Sequence, residues 1–307
     1  MIYTVTCNPS LDYVLEGHPV LLGKVNRAQT ARMVFGGKGI NQSVIFTRLG
    51  VPNRALGFAG GYAGRQLRKL LEKEGIREEL TEIQGETRIN IKLRAGEETE
   101  INAPGPSVSP QELRQLSRRL ETLEEGDVLS FGGSLPPGIE PDFVREILDR
   151  LRGRGVFTVA DADGELLRCS LEGRPTLVKP NRDEAARLLG IEESHPDFAR
   201  AAARGIQAMG ARNVLLSLGA GGAALLTESG EFYQLAAPQG VCKGATGAGD
   251  SLAAGFLTGL AWDRSWSSAL ALAVAAGSAA AFAGRLAEKE EILSLAAQIK
   301  SREGVGK

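Results

Sequence analysis

The sequence predicts an α/β fold, a doubly wound and mainly parallel sheet with helices on both faces, accompanied by a small antiparallel β lid. The sheet is predicted because short β-branched runs alternate with longer runs of helical periodicity over most of the chain. The lid is predicted because two segments, residues 11–35 and 87–105, alternate in polarity without an intervening helix. At 307 residues the chain is long enough to bury a sizeable core.

The elements follow one another regularly. The first ones are a strand in MIYTVTC, a helix in KGINQSVIFTRLG, a strand in RALGFAG, a helix in GRQLRKLLEKEGI, a helix in SPQELRQLSRRLETL, a strand in DVLSFG and a helix in PDFVREILDRLRGRG. They continue with strands in VFTVAD and PTLVKP, helices in NRDEAARLLG and HPDFARAAARGIQAMG, and a strand in NVLLSLG. Strands separated by helices pair in parallel, so a sheet covered on both faces follows.

This pattern divides the chain into two domains. Residues 1–10, 36–86 and 106–307 are expected to form the main α/β domain, and residues 11–35 and 87–105 the lid. An ordinary edge hairpin of the main sheet is the alternative for the lid segments. The C-terminal stretch KSREGVGK is expected to fray.

Composition favours a small-molecule partner. The 36 Lys and Arg residues balance 37 Asp and Glu residues, so the net charge of -1 offers no basic field to nucleic acid or an anionic membrane. We expect a cytoplasmic protein, because the N-terminus does not read as a signal peptide and no run reaches about 18 uninterrupted apolar residues. The cysteines lack CxxC spacing and predict neither a disulfide framework nor a zinc site. His18 and His195 are expected in surface loops.

The motif FGGKGINQS predicts an anion site. Its glycines and Lys38 lead directly into a predicted helix, so free N–H groups and an ammonium group gather at one helix N-terminus. The spacing does not fit a Walker A loop, which would need glycine at Arg32 and a hydroxyl residue at Gly39. A glycine-rich connection with a solvated lysine is the alternative.

The stretch GATGAGDSLAAG is a second glycine-rich junction with a helix. Gly247, Ala248 and Gly249 would allow backbone amides to converge on a phosphoryl group at the helix start. Asp250 would then lie within reach of a substrate hydroxyl and could take its proton. The alternative is a closely packed helix start in which Asp250 is a cap or a first-turn acid.

The stretch VKPNRDEAARLLG follows a strand and opens a helix. Asn181 and Glu184 share a helix face and could both act on a hydrated cation near phosphates. The same spacing fits an N-cap with a capping box, and the two interpretations are compatible.

The stretch LSLGAGGAAL places glycines between two strands. A hairpin turn is the default interpretation. A backbone rim against an adenine ring is the functional one.

Together these motifs resemble the PfkB, or ribokinase-like, family of carbohydrate kinases. The resemblance rests on the order of NPSLDY, GGKGIN, KPNRDE, SLGAGGA and GAGDS along nearly the whole chain. It is strongest to the sugar-phosphate branch that contains 1-phosphofructokinase and tagatose-6-phosphate kinase, through TVTCNPSLDY, the lysine in GGKGIN, TRINIK and INAPGP. It implies a ribokinase-like fold and transfer of the ATP γ-phosphoryl to a ketohexose phosphate with Mg²⁺. Fructose 1-phosphate ranks first as substrate, ahead of tagatose 6-phosphate and fructose 6-phosphate.

The resemblance also assigns site residues. Asp250 is implied as the catalytic base, and the amides of Gly247, Ala248 and Gly249 as the anion hole. The positions implied to hold the sugar are Asp12, Gly37, Lys38 and Asn41, with Asn102 and Ser134 near it. The positions implied to hold its phosphate are Arg88, Lys38, and Lys24 or Arg27 from the lid. The positions implied for the nucleotide are Lys179, Asn181, Ser217, Gly219 and Gly222, with Glu184 organising Mg²⁺ through water.

Some residues depart from the family pattern. Gly244 and Ala245 replace a polar residue and a threonine, which removes a hydroxyl contact on the nucleotide side. Gln42 stands where valine is common. Asp161 and Asp163, in the unusual stretch ADADGE, are expected to be solvated carboxylates at a strand end, and a second acidic centre is the alternative. The family also implies a homodimer formed by pairing of the lids.

Two other classes of protein are alternatives. A dinucleotide-dependent oxidoreductase would need GxGxxG directly after the first strand, and TVTCNPSLDY has no glycine there. A non-catalytic sugar-phosphate-binding protein would keep the lid but lose the base. Because Asp250 and its glycines are present, an enzyme is the preferred interpretation.

Overall fold

The computed structural model describes residues 1–303, with the side chains of all but Glu97 and residues 300–303. The last four residues of the stretch expected to fray lie outside the described residues. Strands and helices are numbered in chain order. The main sheet has nine strands: β1 (Ile2–Thr6), β4 (Asn53–Ala59), β5 (Glu78–Glu82), β8 (Val128–Gly132), β9 (Phe157–Asp161), β10 (Leu177–Val178), β11 (Asn213–Ser217), β12 (Ala223–Leu226) and β13 (Phe232–Leu235).

Ten helices are described along the chain: α1 (Lys38–Leu49), α2 (Gly61–Lys73), α3 (Pro110–Leu120), α4 (Asp142–Leu151), α5 (Gly164–Glu172), α6 (Arg182–Leu189), α7 (Phe198–Ala208), α8 (Ala248–Ala261), α9 (Trp266–Ala283) and α10 (Lys289–Glu303). Apolar side chains of α1, α8, α9 and α10 pack on one face of the main sheet. Those of α3, α4, α5 and α7 pack on the other. The predicted doubly wound sheet with helices on both faces is confirmed.

The strand order of the main sheet is β13-β12-β11-β10-β9-β8-β1-β4-β5. Strands from β5 to β11 are parallel, and only β12 and β13 run antiparallel to their neighbours. From β1 the chain first builds outward through β4 and β5 and later returns to β8 on the other side. The carboxyl ends of β1 and β8 therefore flank a topological switch point, where open α/β sheets form their ligand crevice.

The small residues of α8 and α9 allow the two helices to pack closely. A Cβ on Gly259 would lie 2.6 Å from the Ala269 Cα, and one on Gly255 would lie 2.8 Å from the Ala276 Cβ.

By length and composition α9 could cross a membrane, but 61% of it is buried inside the fold. Burial of this kind is typical of the core helix of a globular protein.

A separate sheet, here called the lid sheet, contains β2 (Ser10–Glu16), β3 (Thr30–Gly36), β6 (Arg88–Ala95) and β7 (Glu97–Ile101) in the order β3-β2-β6-β7. Its two hairpins, β2–β3 and β6–β7, are antiparallel, as predicted. The central pair, β2–β6, is parallel, because these strands come from distant parts of the chain. The division into two domains stays a prediction.

Three of the described helices, α5, α9 and α10, were not predicted from the sequence. VFTVAD and PTLVKP were predicted as successive strands, but α5 lies between them and makes the crossover that a parallel pair requires.

All three cysteines are free, as predicted, and both histidines are exposed.

Candidate active site

The candidate site is a cavity of about 920 Å³ between the carboxyl ends of the central strands and the lid sheet. The predicted residues that line it are Asp12, Gly37, Lys38, Asn41, Arg88, Asn102, Ser134, Gly247 and Asp250. A second groove, of about 970 Å³, is lined by residues such as Arg152, Arg174 and Trp266 and by none of the predicted site residues. Because the predicted site residues line the cavity under the lid sheet, this cavity is the candidate active site.

Two helices begin at this cavity, and each directly follows a glycine. Both glycines have a positive φ, which favours a residue without Cβ. Gly37 precedes α1 with φ of 127°, and a Cβ there would lie 2.5 Å from the Thr6 Cγ2. Gly247 precedes α8 with φ of 78°. Asn41, in the first turn of α1, donates from Nδ2 to the Asp250 Oδ2 at 2.7 Å, which shows that both N-termini meet at one point. Partial positive charge from two helices is thus combined there.

Asp250 is buried in the first turn of α8 and is 8% exposed. Burial, reinforced by the charge of Asp161, raises its pKa to about 6 against the opposing effects of Lys38, Asn41 and Lys179. A carboxylate with that pKa is ionised near neutral pH and still basic enough to accept a proton. Asp250 is therefore suited to be a general base.

The proposed anion hole is only partly free. The N–H of Ala248 donates to the carbonyl of Ala245 at 3.1 Å within the same turn. A Cβ on Gly249 would lie 3.4 Å from the Lys179 Nζ, so this lysine lies directly beside the glycine turn.

The environment of Asp161 differs from the predicted one. It was expected to be solvated, but it is 0% exposed at the end of β9. Its Oδ1 binds the Lys38 Nζ at 3.0 Å and the Lys179 Nζ at 3.1 Å. Burial alone would raise the pKa of Asp161, but the charges of Lys179 and Lys38 outweigh it and hold the pKa below its usual value. Asp163, by contrast, is exposed at the rim of the cavity.

The same ion-pair cluster keeps Lys38 charged. Burial would lower the pKa of Lys38, but the charges of Asp161, Glu184 and Asp250 raise it above its usual value. Because Glu184 contributes, its carboxylate lies within electrostatic range of Lys38. The cluster thus joins residues predicted for the sugar with residues predicted for the nucleotide.

Gln42, which stands where valine is common, belongs to this cluster. It is fully buried in α1, and its Nε2 donates to the Asp161 Oδ2 at 3.2 Å. Its Oε1 accepts from the Ser130 Oγ at 2.6 Å. A valine at this position could make neither bond.

Asp12 lies on the lid-sheet wall of the cavity. Its Oδ1 accepts from the Ser10 Oγ at 2.6 Å and from the Asn90 Nδ2 at 3.0 Å. The Lys92 Nζ lies 3.5 Å from its Oδ2. Asn90 and Lys92 were missed, although they alternate with Arg88 in TRINIK and such alternation places side chains on one strand face.

Arg88 joins the lid sheet to the main domain. Its Nη2 donates to the Asn8 carbonyl at 2.8 Å and its Nη1 to the Ala103 carbonyl at 3.0 Å. Its buried Nε has no partner among the described residues. Burial lowers the pKa of Arg88, against the charge of Asp12. The guanidinium group is therefore only partly satisfied by the described residues.

Four further predicted residues lie at the edge of the cavity or away from it. The Asn102 Nδ2 contacts the Glu100 carboxylate, and the Ser134 Oγ accepts from Asn8, each at 3.5 Å. Lys24 and Arg27 lie on the exposed connection between β2 and β3 and do not line the cavity. A single chain thus does not bring these two cations to the site.

The predicted nucleotide residues lie at the ends of β10 and β11. Asn181 caps α6 and forms the capping box with Glu184, each backbone N–H donating to the other side chain at 2.8 Å. Ser217 pairs with Asn181 through a parallel bridge. Gly219 and Gly222 form the turn of the β11–β12 hairpin, and a Cβ on Gly222 would lie 1.9 Å from the Leu235 carbonyl oxygen. Both structural interpretations, the capping box and the hairpin, are therefore confirmed.

The donor set for a metal ion is sparse. The described residues contain no group of three or more His, Cys, Asp or Glu side chains arranged to hold one. Glu184, in the first turn of α6, is the carboxylate predicted for Mg²⁺, and Mg²⁺ sites near phosphates need only one or two carboxylates.

Comparison with known proteins agrees with this geometry. A family model described as "pfkB family carbohydrate kinase" matches residues 7–291. The chain is 35% identical to the 1-phosphofructokinase of Bacillus subtilis over 98% of this chain and 99% of that protein. It is 33% identical to the D-tagatose-1-phosphate kinase of Klebsiella oxytoca over 95% and 97%.

Solved structures show the same relationship. Phosphofructokinase-2 from Escherichia coli in complex with fructose-6-phosphate superposes with a TM-score of 0.91 and 30% identity, covering 97% of this chain and 99% of that one. Ribokinase from Arabidopsis thaliana, complexed with ribose and ATP, has a TM-score of 0.73 and 21% identity over 96% and 98%, and it shows the shared fold alone. The chain belongs to the pfkB family of carbohydrate kinases.

Proposed function

We propose that the protein transfers the γ-phosphoryl group of ATP to fructose 1-phosphate, giving fructose 1,6-bisphosphate and ADP. The observation that carries this proposal is the buried Asp250 with a pKa of about 6, at the meeting point of two helix N-termini and beside Lys38. This is the arrangement that phosphoryl transfer to a hydroxyl requires, because a base must meet the hydroxyl where negative charge is stabilised.

In the proposed reaction Asp250 accepts the proton of the sugar's primary hydroxyl as that oxygen attacks. The amides of Gly247 and Gly249, with Ala248 once its turn contact is released, stabilise the charge on the transferring group. Lys38 and Lys179, held by Asp161, add positive charge on either side. Mg²⁺, organised by Glu184 through water, would neutralise the phosphates. The lid sheet excludes water from the cavity.

Asp12 and Asn41 are proposed to bind sugar hydroxyls, together with the backbone at Gly37. Arg88 is proposed to bind the substrate's phosphate, with Lys38 nearby and Asn102 and Ser134 at the rim. The nucleotide is proposed to bind to Lys179 and to four further residues, which are Asn181, Ser217, Gly219 and Gly222. The names of the two curated relatives place a phosphate at C1 of a ketohexose, which favours fructose 1-phosphate.

Fructose 6-phosphate is the second candidate, since it is bound in the Escherichia coli phosphofructokinase-2 structure. A coupled ADP-release assay decides between them by comparing kcat/KM for fructose 1-phosphate, tagatose 1-phosphate, fructose 6-phosphate and tagatose 6-phosphate. The highest value is expected with fructose 1-phosphate. An equal or higher value with a 6-phosphate would overturn the assignment of the substrate but not of the kinase.

We also propose a cytoplasmic homodimer that forms through the lid sheets. Large apolar side chains of the lid sheet and its β2–β3 connection are exposed, which is unusual for a monomer. They include Leu22, Val25, Met33, Ile89 and Ile101. Pairing of two lids would cover them.

A further inference from the structure

Three buried polar side chains from three different elements form a continuous chain of hydrogen bonds behind the active site. Ser130 of β8 donates to Gln42 of α1 at 2.6 Å, and Gln42 donates to Asp161 of β9 at 3.2 Å. All three are 0% exposed. Burying polar groups is unfavourable unless they are paired, and here the described contacts pair them with one another.

The carboxylate of Asp161 divides its partners between its two oxygens. Both lysines bind Oδ1, whereas Gln42 binds Oδ2. The amide of Gln42 therefore determines how the carboxylate is rotated, and Ser130 holds that amide in place. If the carboxylate rotated, Lys38 and Lys179 would both lose their partner at once.

We propose that Gln42, supported by Ser130, is a positioning residue that fixes the Asp161 carboxylate so that one oxygen holds Lys38 and Lys179 together beside Asp250. This inference rests on the proposed function for its kinetic consequences. The contacts themselves do not depend on which ketohexose phosphate is the substrate.

The proposal predicts a kinetic signature. Lys38 lines the cavity proposed for the sugar phosphate, and Lys179, which is itself proposed to bind the nucleotide, lies beside Gly249 of the predicted anion hole. Loosening Asp161 should therefore reduce turnover and weaken the use of both substrates. A change that acted only on the sugar would raise the KM of the sugar phosphate alone.

The decisive variant is Gln42→Met, which preserves the length of the side chain and removes both hydrogen bonds. Its kcat is expected to fall about 10- to 100-fold, because a misplacement of about 1 Å can cost that much. In an Asp161→Asn background the same change should have an effect of less than about twofold, because residues that act through one another are not additive. Independent, additive losses would overturn the proposal, and so would a Gln42→Met enzyme with unchanged kcat and KM.

The matched control is Ser43→Ala. Ser43 follows Gln42 on the same helix, is also fully buried, and shares a hydrogen bond of 2.8 Å with Thr4, away from Asp161. Its loss should lower the melting temperature but leave kcat and both KM values within about twofold. If Gln42→Met does not fold, Ser130→Ala provides the milder variant, for which a several-fold loss of kcat is expected and an unchanged kcat contradicts the proposal.

A second readout does not require activity. Mass spectrometry after mild acylation measures how strongly Lys38 and Lys179 are protected in each variant. Both should be modified several-fold faster in Gln42→Met than in the wild type, and at the wild-type rate in Ser43→Ala. Unchanged protection in Gln42→Met would overturn the positioning role. A wild-type protein inactive on every ketohexose phosphate would instead refute the proposed function.

Discussion

Asp250 lies in the first turn of α8 with Asn41 as its donor, and the proposed reaction requires it to accept a proton. The variant Asp250→Asn has the same shape but cannot accept that proton. We expect kcat to fall by about 10²–10⁴-fold. Binding of ATP, measured by calorimetry, should persist, since the glycine turn is unchanged. Near-normal turnover would contradict the role of Asp250 as the base.

The pH dependence of the reaction follows from the same residue. Burial, with a contribution from Asp161, raises the pKa of Asp250 to about 6, and the base is active only when it is deprotonated. The value of kcat/KM should therefore be constant above about pH 7 and fall about tenfold per unit well below pH 6. Circular dichroism at each pH checks that the protein stays folded. A rate that stays constant down to about pH 4.5 would contradict the assignment.

Sequence alone predicted those residues whose role depends on a local pattern. Asp250 follows its own glycines, and Lys38 precedes its own helix, so their placement at helix N-termini is visible in the sequence. Asp161 looked like a solvated strand-end carboxylate because its two lysines come from distant positions. Gln42 had no interpretation for the same reason. The partner of a buried polar group is a property of the fold and not of its neighbours in the chain.

Among the elements, the same distinction holds. Long amphipathic helices and apolar strands were predicted from periodicity. Strand β10 lies within the predicted strand PTLVKP. Helix α5 before it has only 9 residues, fewer than the roughly 11 to 18 over which helical periodicity is recognised, and it was missed. The parallel pairing of β2 with β6 was also not predictable, because it joins two hairpins from separate parts of the chain. Such non-local pairing is decided by packing on the main domain.

The lid sheet contacts the main domain through the β6–β7 hairpin. The Thr246 Oγ1 donates to the Glu98 Oε1 at 3.2 Å, one residue before the Gly247 turn. Arg94 binds the same carboxylate and also donates to the Gly284 carbonyl, each at 3.4 Å. These contacts connect the position of the lid sheet to the start of α8.

We expect Thr246→Val, which removes only the hydroxyl, to loosen this connection. The KM of the sugar phosphate should rise about 2- to 10-fold, the range of one hydrogen bond of about 0.5–1.5 kcal/mol. The rate of ATP hydrolysis without sugar should rise as well, since water enters the cavity more easily. Thr122→Val is the control, because the Thr122 hydroxyl contacts Arg119 far from the site. If both variants behave like the wild type, the contact does not hold the lid sheet closed.

At the scale of the whole molecule, the site forms because two architectures meet. The doubly wound sheet brings the starts of α1 and α8 together above its switch point. The lid sheet supplies Asp12 and Arg88 from the other side. The sequence predicted both the main sheet and the lid sheet. The predicted lid residues Lys24 and Arg27, however, do not line the cavity of a single chain.

The exposed apolar surface of the lid sheet leads to a prediction about assembly. Leu22 is 92% exposed, Val25 is 81% exposed and Ile101 is 58% exposed, so three large apolar side chains face solvent in a single chain. A dimer that pairs the lid sheets would bury them, at a gain of roughly 25 cal/mol per Å². Light scattering should therefore give about twice the chain mass of 32.5 kDa. The variant Leu22→Asp/Val25→Asp should have the mass of one chain, whereas Val241→Asp, at an apolar residue 77% exposed on the main domain, should remain dimeric. A wild-type mass of 32.5 kDa at micromolar concentration would rule out the lid dimer, and dissociation by Val241→Asp would place the interface elsewhere.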